Sequence, residues 1–308
     1  MTTDIISAPP QRSRRLRVSG ITLLAGLLSG FLILAAVFAP FIAPHDPFTP
    51  ATLNLMDGMT PPMEPNAFSG SVFIFGTDNQ GRDVLSSILY GSRISLLVAF
   101  SSTLLSLFIG VGAGLISGYS GGFVDALIMR IADAQLTFPT ILIALLIFGL
   151  AQGLVSPAQK ESAAVWLLIF AIGFSNWPQF ARTVRGAVLV ERSKDYVSAA
   201  KLIGVSRTRI VLTHILPNIA GPVMVIATIG FALAIIEEAT LSYLGVGVPP
   251  TRPSLGTLIR IGQQFLFSGE WWILAFPALT LVLLALSVNL LGDHLRDALN
   301  PRLRNTRT

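Results

Sequence analysis

Apolar residues along this chain gather into six long runs instead of alternating with polar ones. The runs cover residues 21–41, 94–116, 131–150, 163–180, 218–236 and 271–291. The first two carry no charge, and the third holds only Asp133, near its start. Each is close to the ~20 apolar residues that cross a bilayer as a helix. In lipid every backbone amide must find its partner within its own segment, so the pattern predicts six transmembrane helices.

One stretch interrupts the pattern. Between the fourth and fifth runs stands DYVSAAKLIGVSRTRIVLTHILPN, residues 195–218. The whole connection, 182–217, is long for a plain loop. Its periodicity is helical: Val197, Ala200 and Ile203 fall on one face, and Ile210, Val211 and Ile215 on another. Ser193 or Asp195 is expected to cap the first short helix, Gly204 to end it, and Ser206 to cap the second. Pro217 is expected at the change into the fifth run. Ala199, Ala200 and Gly204 put little side chain on this surface, so another backbone could approach closely. The alternative is an amphipathic helix resting on the membrane.

Composition agrees. Of 308 residues, 52% are hydrophobic and 12% charged, against about 25% charged in soluble domains. The first run follows Arg12, Arg14, Arg15 and Arg17, but it exceeds the apolar core of a cleaved signal and is read as a retained helix. With a cytoplasmic N-terminus, sixteen Lys and Arg fall inside, seven of them between Arg182 and Arg209, and five fall outside. That bias orients all six helices and returns the C-terminus to the cytoplasm. The net charge of +5 is thus a topology signal and not a nucleic-acid one. The absence of cysteine excludes disulfides and thiolate chemistry. No Gly-x-x-x-x-Gly-Lys-[Ser/Thr] phosphate loop is present. His45, His214 and His294 are too scattered to suggest a metal site, and no catalytic residues cluster.

Several polar or small positions stand out inside the runs. Gly110, Gly114, Gly118 and Gly122 recur every four residues and predict close helix packing, within the chain more readily than across a dimer. Glu237 and Glu238 lie near the outer end of the fifth run; they are read as solvated or ion-paired interfacial acids, with a place in a substrate path as the sharper alternative. Asp133 is expected to pair with Arg130, one turn away. Asn176 and Gln179 flank Pro178 and either bond a neighbouring helix or line an aqueous path. Residues 42–92 form a proline-rich outer segment, irregular at first and helical from about Asp83.

AAKLIG, followed nine residues later by HILPN, resembles the "EAA" loop of bacterial ABC-transporter permeases. Ala199, Ala200, Gly204, Leu216 and Pro217 match that motif, and Ser198 stands where glutamate is usual. FGTDNQGRDVLSSILYGSRISL (75–96), GYSGGFVDALIMRIAD (118–133), EATLSYLGVGVPP (238–250) and NLLGDHLRDALNP (289–301) resemble the dipeptide/oligopeptide/nickel permeases, C-type subunit. Glu238 falls on a family position, and Glu237 is additional. The resemblance implies an all-α polytopic membrane protein of type I ABC-importer permease architecture. It divides the chain into a basic N-terminal tail (1–20), a first helix (21–41), a periplasmic segment (42–92), a five-helix core (93–293) and a C-terminal tail (294–308).

The implied partners are a homologous permease subunit, two cytoplasmic ABC ATPase subunits, a periplasmic or lipid-anchored solute-binding protein, and the lipid of the bacterial inner membrane. ATP and Mg would sit on the ATPase subunits, and this chain would bind no cofactor. The implied cargo is a short peptide, or alternatively chelated nickel or another small solute. A proton-coupled secondary transporter is the alternative of another class. It would show inverted repeats, which are not seen, and would not co-purify with an ATPase.

Overall fold

The computed structural model describes residues 20–48 and 53–299, with no account of the side chains of 295–299. Helices dominate, and the only β-pairing among the described residues is two isolated bridges, Pro65 with Val72 and Thr77 with Asp83. The expected basic N-terminal tail lies outside these residues, as does most of the C-terminal one.

Among the described residues, five helices are long and apolar enough to cross a membrane. They are α1 (Gly20–Val37), α2 (Val84–Ser120), α5 (Lys160–Arg192), α7 (Ala220–Tyr243) and α9 (Trp272–Leu299). The third run differs from expectation. It is not one straight span but belongs to two helices, α3 (Gly122–Leu136) and α4 (Thr140–Leu154), which meet at 94°. Pro139 explains the break. Its ring disfavours a helical conformation at Phe138, and it has no N–H to offer the preceding turn. Hydropathy is blind to this, because the residues on both sides of the break remain apolar.

The best-packed pair is α2 against α5. A Cβ built on Gly110 would lie 2.3 Å from Phe180 Cβ and 2.8 Å from the Trp177 carbonyl. At Gly114 it would meet Ala181 O and Val184 Cβ at 2.7 Å, and at Gly118 it would meet Val188 Cβ at 2.8 Å. Glycines every four residues on α2 thus receive Phe180, Val184 and Val188, also every four residues, on α5. Such small-residue seams let two backbones approach. Higher up, the Ser106 hydroxyl donates to the Gly173 carbonyl at 2.7 Å across the same seam. Gly122 departs from the expected row: it is exposed, with nothing within 4 Å of a built Cβ, because φ of +69° at Gly121 and +59° at Gly122 turns the chain out of α2 into α3.

Pro178 sits inside α5 and leaves the Phe174 carbonyl without its helical donor. Gln135, at the end of α3, fills the gap: its amide donates to Phe174 O at 3.0 Å and Ser175 O at 3.1 Å. Its carbonyl accepts from Trp177 Nε1 at 3.0 Å. Arg185 then clasps Asp125 through two 2.6 Å bonds, fixing the other end of α3 to α5.

The described residues between α1 and α2 form a short helix, Ala39–Ile42, a 3-10 turn, Leu55–Asp57, and further turns. Asp83 caps α2, accepting from Ser86 N at 2.9 Å, and Trp272 Nε1 donates to Thr77 O at 3.1 Å. Asp78 is buried there, and desolvation pushes its carboxyl above the usual carboxylate range. The connection between α7 and α9 holds an unexpected helix, α8 (Leu255–Gln263), capped by Ser254. Gly256 lies against the Ala239 backbone and Gly262 against that of Ile273, so α8 is pressed into the junction of α7 and α9.

Candidate functional site

The polar segment is a compact element with its own core. α5 runs on to Arg192, so the loop proper starts at Ser193 rather than at 182. A short helix, α6 (Asp195–Leu202), follows. Lys194 holds its N-cap position with no side-chain cap, so neither Ser193 nor Asp195 plays the expected part; Asp195 is the first helical residue. Its carboxylate favours that end through the helix dipole. Gly204 has φ +80°, the left-handed conformation that ends a helix at little cost only in glycine. Ser206 accepts from Arg209 N at 3.4 Å, in the capping role expected.

The chain then passes through a π-helical turn, Ile210–Ile215, into Leu216–Asn218 with Pro217 in the first turn. The wider turn closes with Leu216 N donating to Val211 O. Pro217 has no N–H of its own to donate back into this turn. Single π turns of this kind are frequent at functional sites.

Inside the loop, Val197, Ile210 and Ile215 are fully buried, with Ala200 nearly so. They pack with Leu115 of α2 and with Val184 and Val188 of α5. Polar contacts staple the two ends. Buried Glu191 accepts from Lys194 Nζ and from Tyr196 OH at 2.9 Å. Asn218 Nδ2 donates to Tyr196 OH at 3.3 Å and to His214 O at 2.7 Å. The Glu191 carboxylate raises the Lys194 pKa, whereas burial, ahead of Glu191, raises that of Tyr196.

What remains outside is a small tip. Ser198, Ala199 and Gly204 are exposed, and so are Leu202 at 88% and Ile203 at 80%. Two expectations change here. Ala200 faces the core and not a partner. Ile203 leaves the shared face because α6 ends at Leu202. The outer surface is therefore two large apolar side chains beside small ones.

The intramembrane polar positions are not where the sequence suggested. Glu238 is fully buried and so not solvated. The Ser242 hydroxyl donates to it at 2.7 Å, and Ser95 of α2 and Ser254 at the start of α8 stand beside it. Glu238 thus joins three helices at one point. Glu237 is half-buried and accepts from Asn176 Nδ2 at 2.6 Å, tying α7 to α5. Gln179 is exposed and joins neither group. Asp133 pairs with Arg182 of α5 at 3.7 Å instead of with Arg130. Ser95, Ser254 and Gln135 were missed; a lone serine or glutamine in an apolar run signals nothing until its partner is known. No group of three or more His, Asp or Glu among the described residues could hold a metal ion.

Comparisons with known proteins fit this layout. Residues 110–305 match the family profile described as binding-protein-dependent transport system inner membrane component. The di/tripeptide transport system permease protein DppC of Pseudomonas aeruginosa is 38% identical over 92% of this chain and 88% of its own length. The oligopeptide transport system permease protein OppC of Bacillus subtilis is 36% identical over 95% of this chain and 88% of its own. The inward-facing MetNI methionine ABC transporter superposes with a TM-score of 0.56 at 19% identity, covering 70% of this chain and 96% of the matched one.

Proposed function

The chain belongs to the binding-protein-dependent transport system inner membrane components, and we propose that it is one permease subunit of an ATP-driven importer of short peptides. Peptide cargo is favoured because curated relatives named for dipeptide or oligopeptide transport align with more than nine-tenths of the chain. The proposed set of partners is a homologous permease, two cytoplasmic ABC ATPase subunits and an external solute-binding protein. ATP and Mg belong to the ATPase subunits, and this chain has no ATPase site of its own. The charge bias favours a cytoplasmic place for both termini and for the 195–218 loop.

The observation that carries the coupling role is the tip of α6. Leu202 and Ile203 are exposed at the end of a helix whose other face is locked into α2 and α5. A large apolar pair held on a rigid support fits a cleft in a soluble partner. Closure of the ATPase pair on ATP would then move α6, and with it α2 and α5, as one body. The membrane helices would switch between two packings biased by that differential binding.

Uptake of a labelled dipeptide, a labelled pentapeptide and labelled nickel, in cells with and without the gene, tests the cargo. Loss of peptide uptake alone is expected. Loss of nickel uptake alone would overturn the peptide reading.

A further inference from the structure

A cavity of about 920 Å³ lies between the last two turns of α2 and the loop that carries α6. Its lining combines apolar and cationic side chains. Ile116 of α2 and Leu212 of the π turn are 55% and 53% exposed. Arg192, Lys201 and Arg207 line it as well, and no acidic side chain does. Lys201 Nζ sits 5.7 Å from the centre of the Tyr119 ring. Arg192 is held in place by the Gly118 and Tyr119 carbonyls, at 3.0 and 2.8 Å. Neither Lys201 nor Arg207 has an ion pair among the described residues.

The apolar run of α2 ends at Ile116, and Tyr119 follows one turn later. Tyrosines with one polar tip collect at the level of lipid headgroups. This end of α2 is therefore expected at headgroup level.

We propose that this cavity binds one anionic phospholipid of the leaflet on the 195–218 side, its phosphate between Lys201, Arg207 and Arg192 and its acyl chain along Ile116 and Leu212. Charge complementarity and the exposed apolar Ile116 and Leu212 beside the cations favour a lipid over a soluble anion, which would leave those apolar side chains unused. Basic pockets between membrane helices on the cytoplasmic side recognise anionic headgroups in this way. The bound lipid would touch both α2 and the loop. The leaflet's headgroup composition would then bear on how firmly α6 is seated.

The test uses the full-length chain, with its co-purified subunits, in nanodiscs. Ile116→Trp adds a reporter, and the parent chain supplies the background of its four tryptophans. Phosphatidylglycerol brominated on its acyl chain should quench the reporter more than brominated phosphatidylcholine at equal mole fraction. In Lys201→Gln and Arg207→Gln the preference should fall by about fivefold per cation. Arg207→Lys should keep it, which separates lost charge from a misfolded loop. Equal quenching by the two lipids would overturn the proposal. So would loss of the preference on adding inorganic phosphate, which would mark a free-anion site, and so would absence of quenching by either lipid, which would mean that protein fills the cavity.

Discussion

The α2–α5 seam and the tip of α6 both contain small residues, yet they are opposites. In the seam, a Cβ at Gly110 or Gly114 would run into the backbone of α5, and one at Gly118 into the Val188 side chain. At the tip, a Cβ on Gly204 would meet nothing within 4 Å, and Ala199 is exposed. The seam's glycines let two helices of one chain touch. The tip's small residues leave room that none of the described residues fills. Smallness alone says only that something comes close, and the fold decides whether that neighbour is internal.

The largest effect expected from breaking this contrast is at the seam. Gly110→Leu must separate α2 from α5 at backbone level, so it should exceed the about 1–3 kcal/mol typical of overpacking. The measurable outcome is little intact protein in the membrane and a sharply lowered Tm. Gly204→Trp should do the reverse. It should leave the membrane helices folded, losing about 1–2 kcal/mol locally to the left-handed backbone, while uptake is abolished. Uptake at the parent rate in that variant would remove the coupling role from α6.

Two smaller effects sharpen the same contrast. Asn176→Leu deletes the donor to Glu237 between α5 and α7, and should cost about 1–3 kcal/mol in thermal stability by leaving a half-buried acid unpartnered. Ser198→Glu restores the residue usual in the resembling loops at an exposed position. It should change Tm by less than Asn176→Leu does, so that any change in transport-linked ATPase activity reports on the partner. The Lys194–Glu191 staple bears on pH. Its raised lysine pKa means a stabilising contribution fully present below the ordinary lysine value and lost as pH rises through the raised one. Loop protection in hydrogen exchange should therefore be flat across the neutral range and fall only in alkali.

Much of this was legible in the chain. The apolar runs, the helical loop, the turn at Gly204 and the cap at Ser206 follow from hydropathy and local turn chemistry. The break at Pro139 was present in the residues but hidden by the continuous hydropathy around it. The burial of Glu238 was not legible, because Ser95, 143 positions earlier, and Ser254 meet it only in three dimensions. Ala200 faced inward for a similar reason: a face shared by Val197 and Ala200 is visible in the periodicity, but not which face meets α5. Gln135 repairs Pro178 across 43 residues, a compensation that no local rule anticipates.

The most direct test of the coupling reading is a crosslink at the tip of α6. The chain has no cysteine, so Leu202→Cys introduces its only thiol. In membranes holding the assembled transporter, a short bifunctional thiol reagent should join this position to an ATPase subunit carrying cysteines along its cleft, and ATP should change the yield. An intact complex that gives no ATPase adduct at position 202, with or without ATP, would contradict the account.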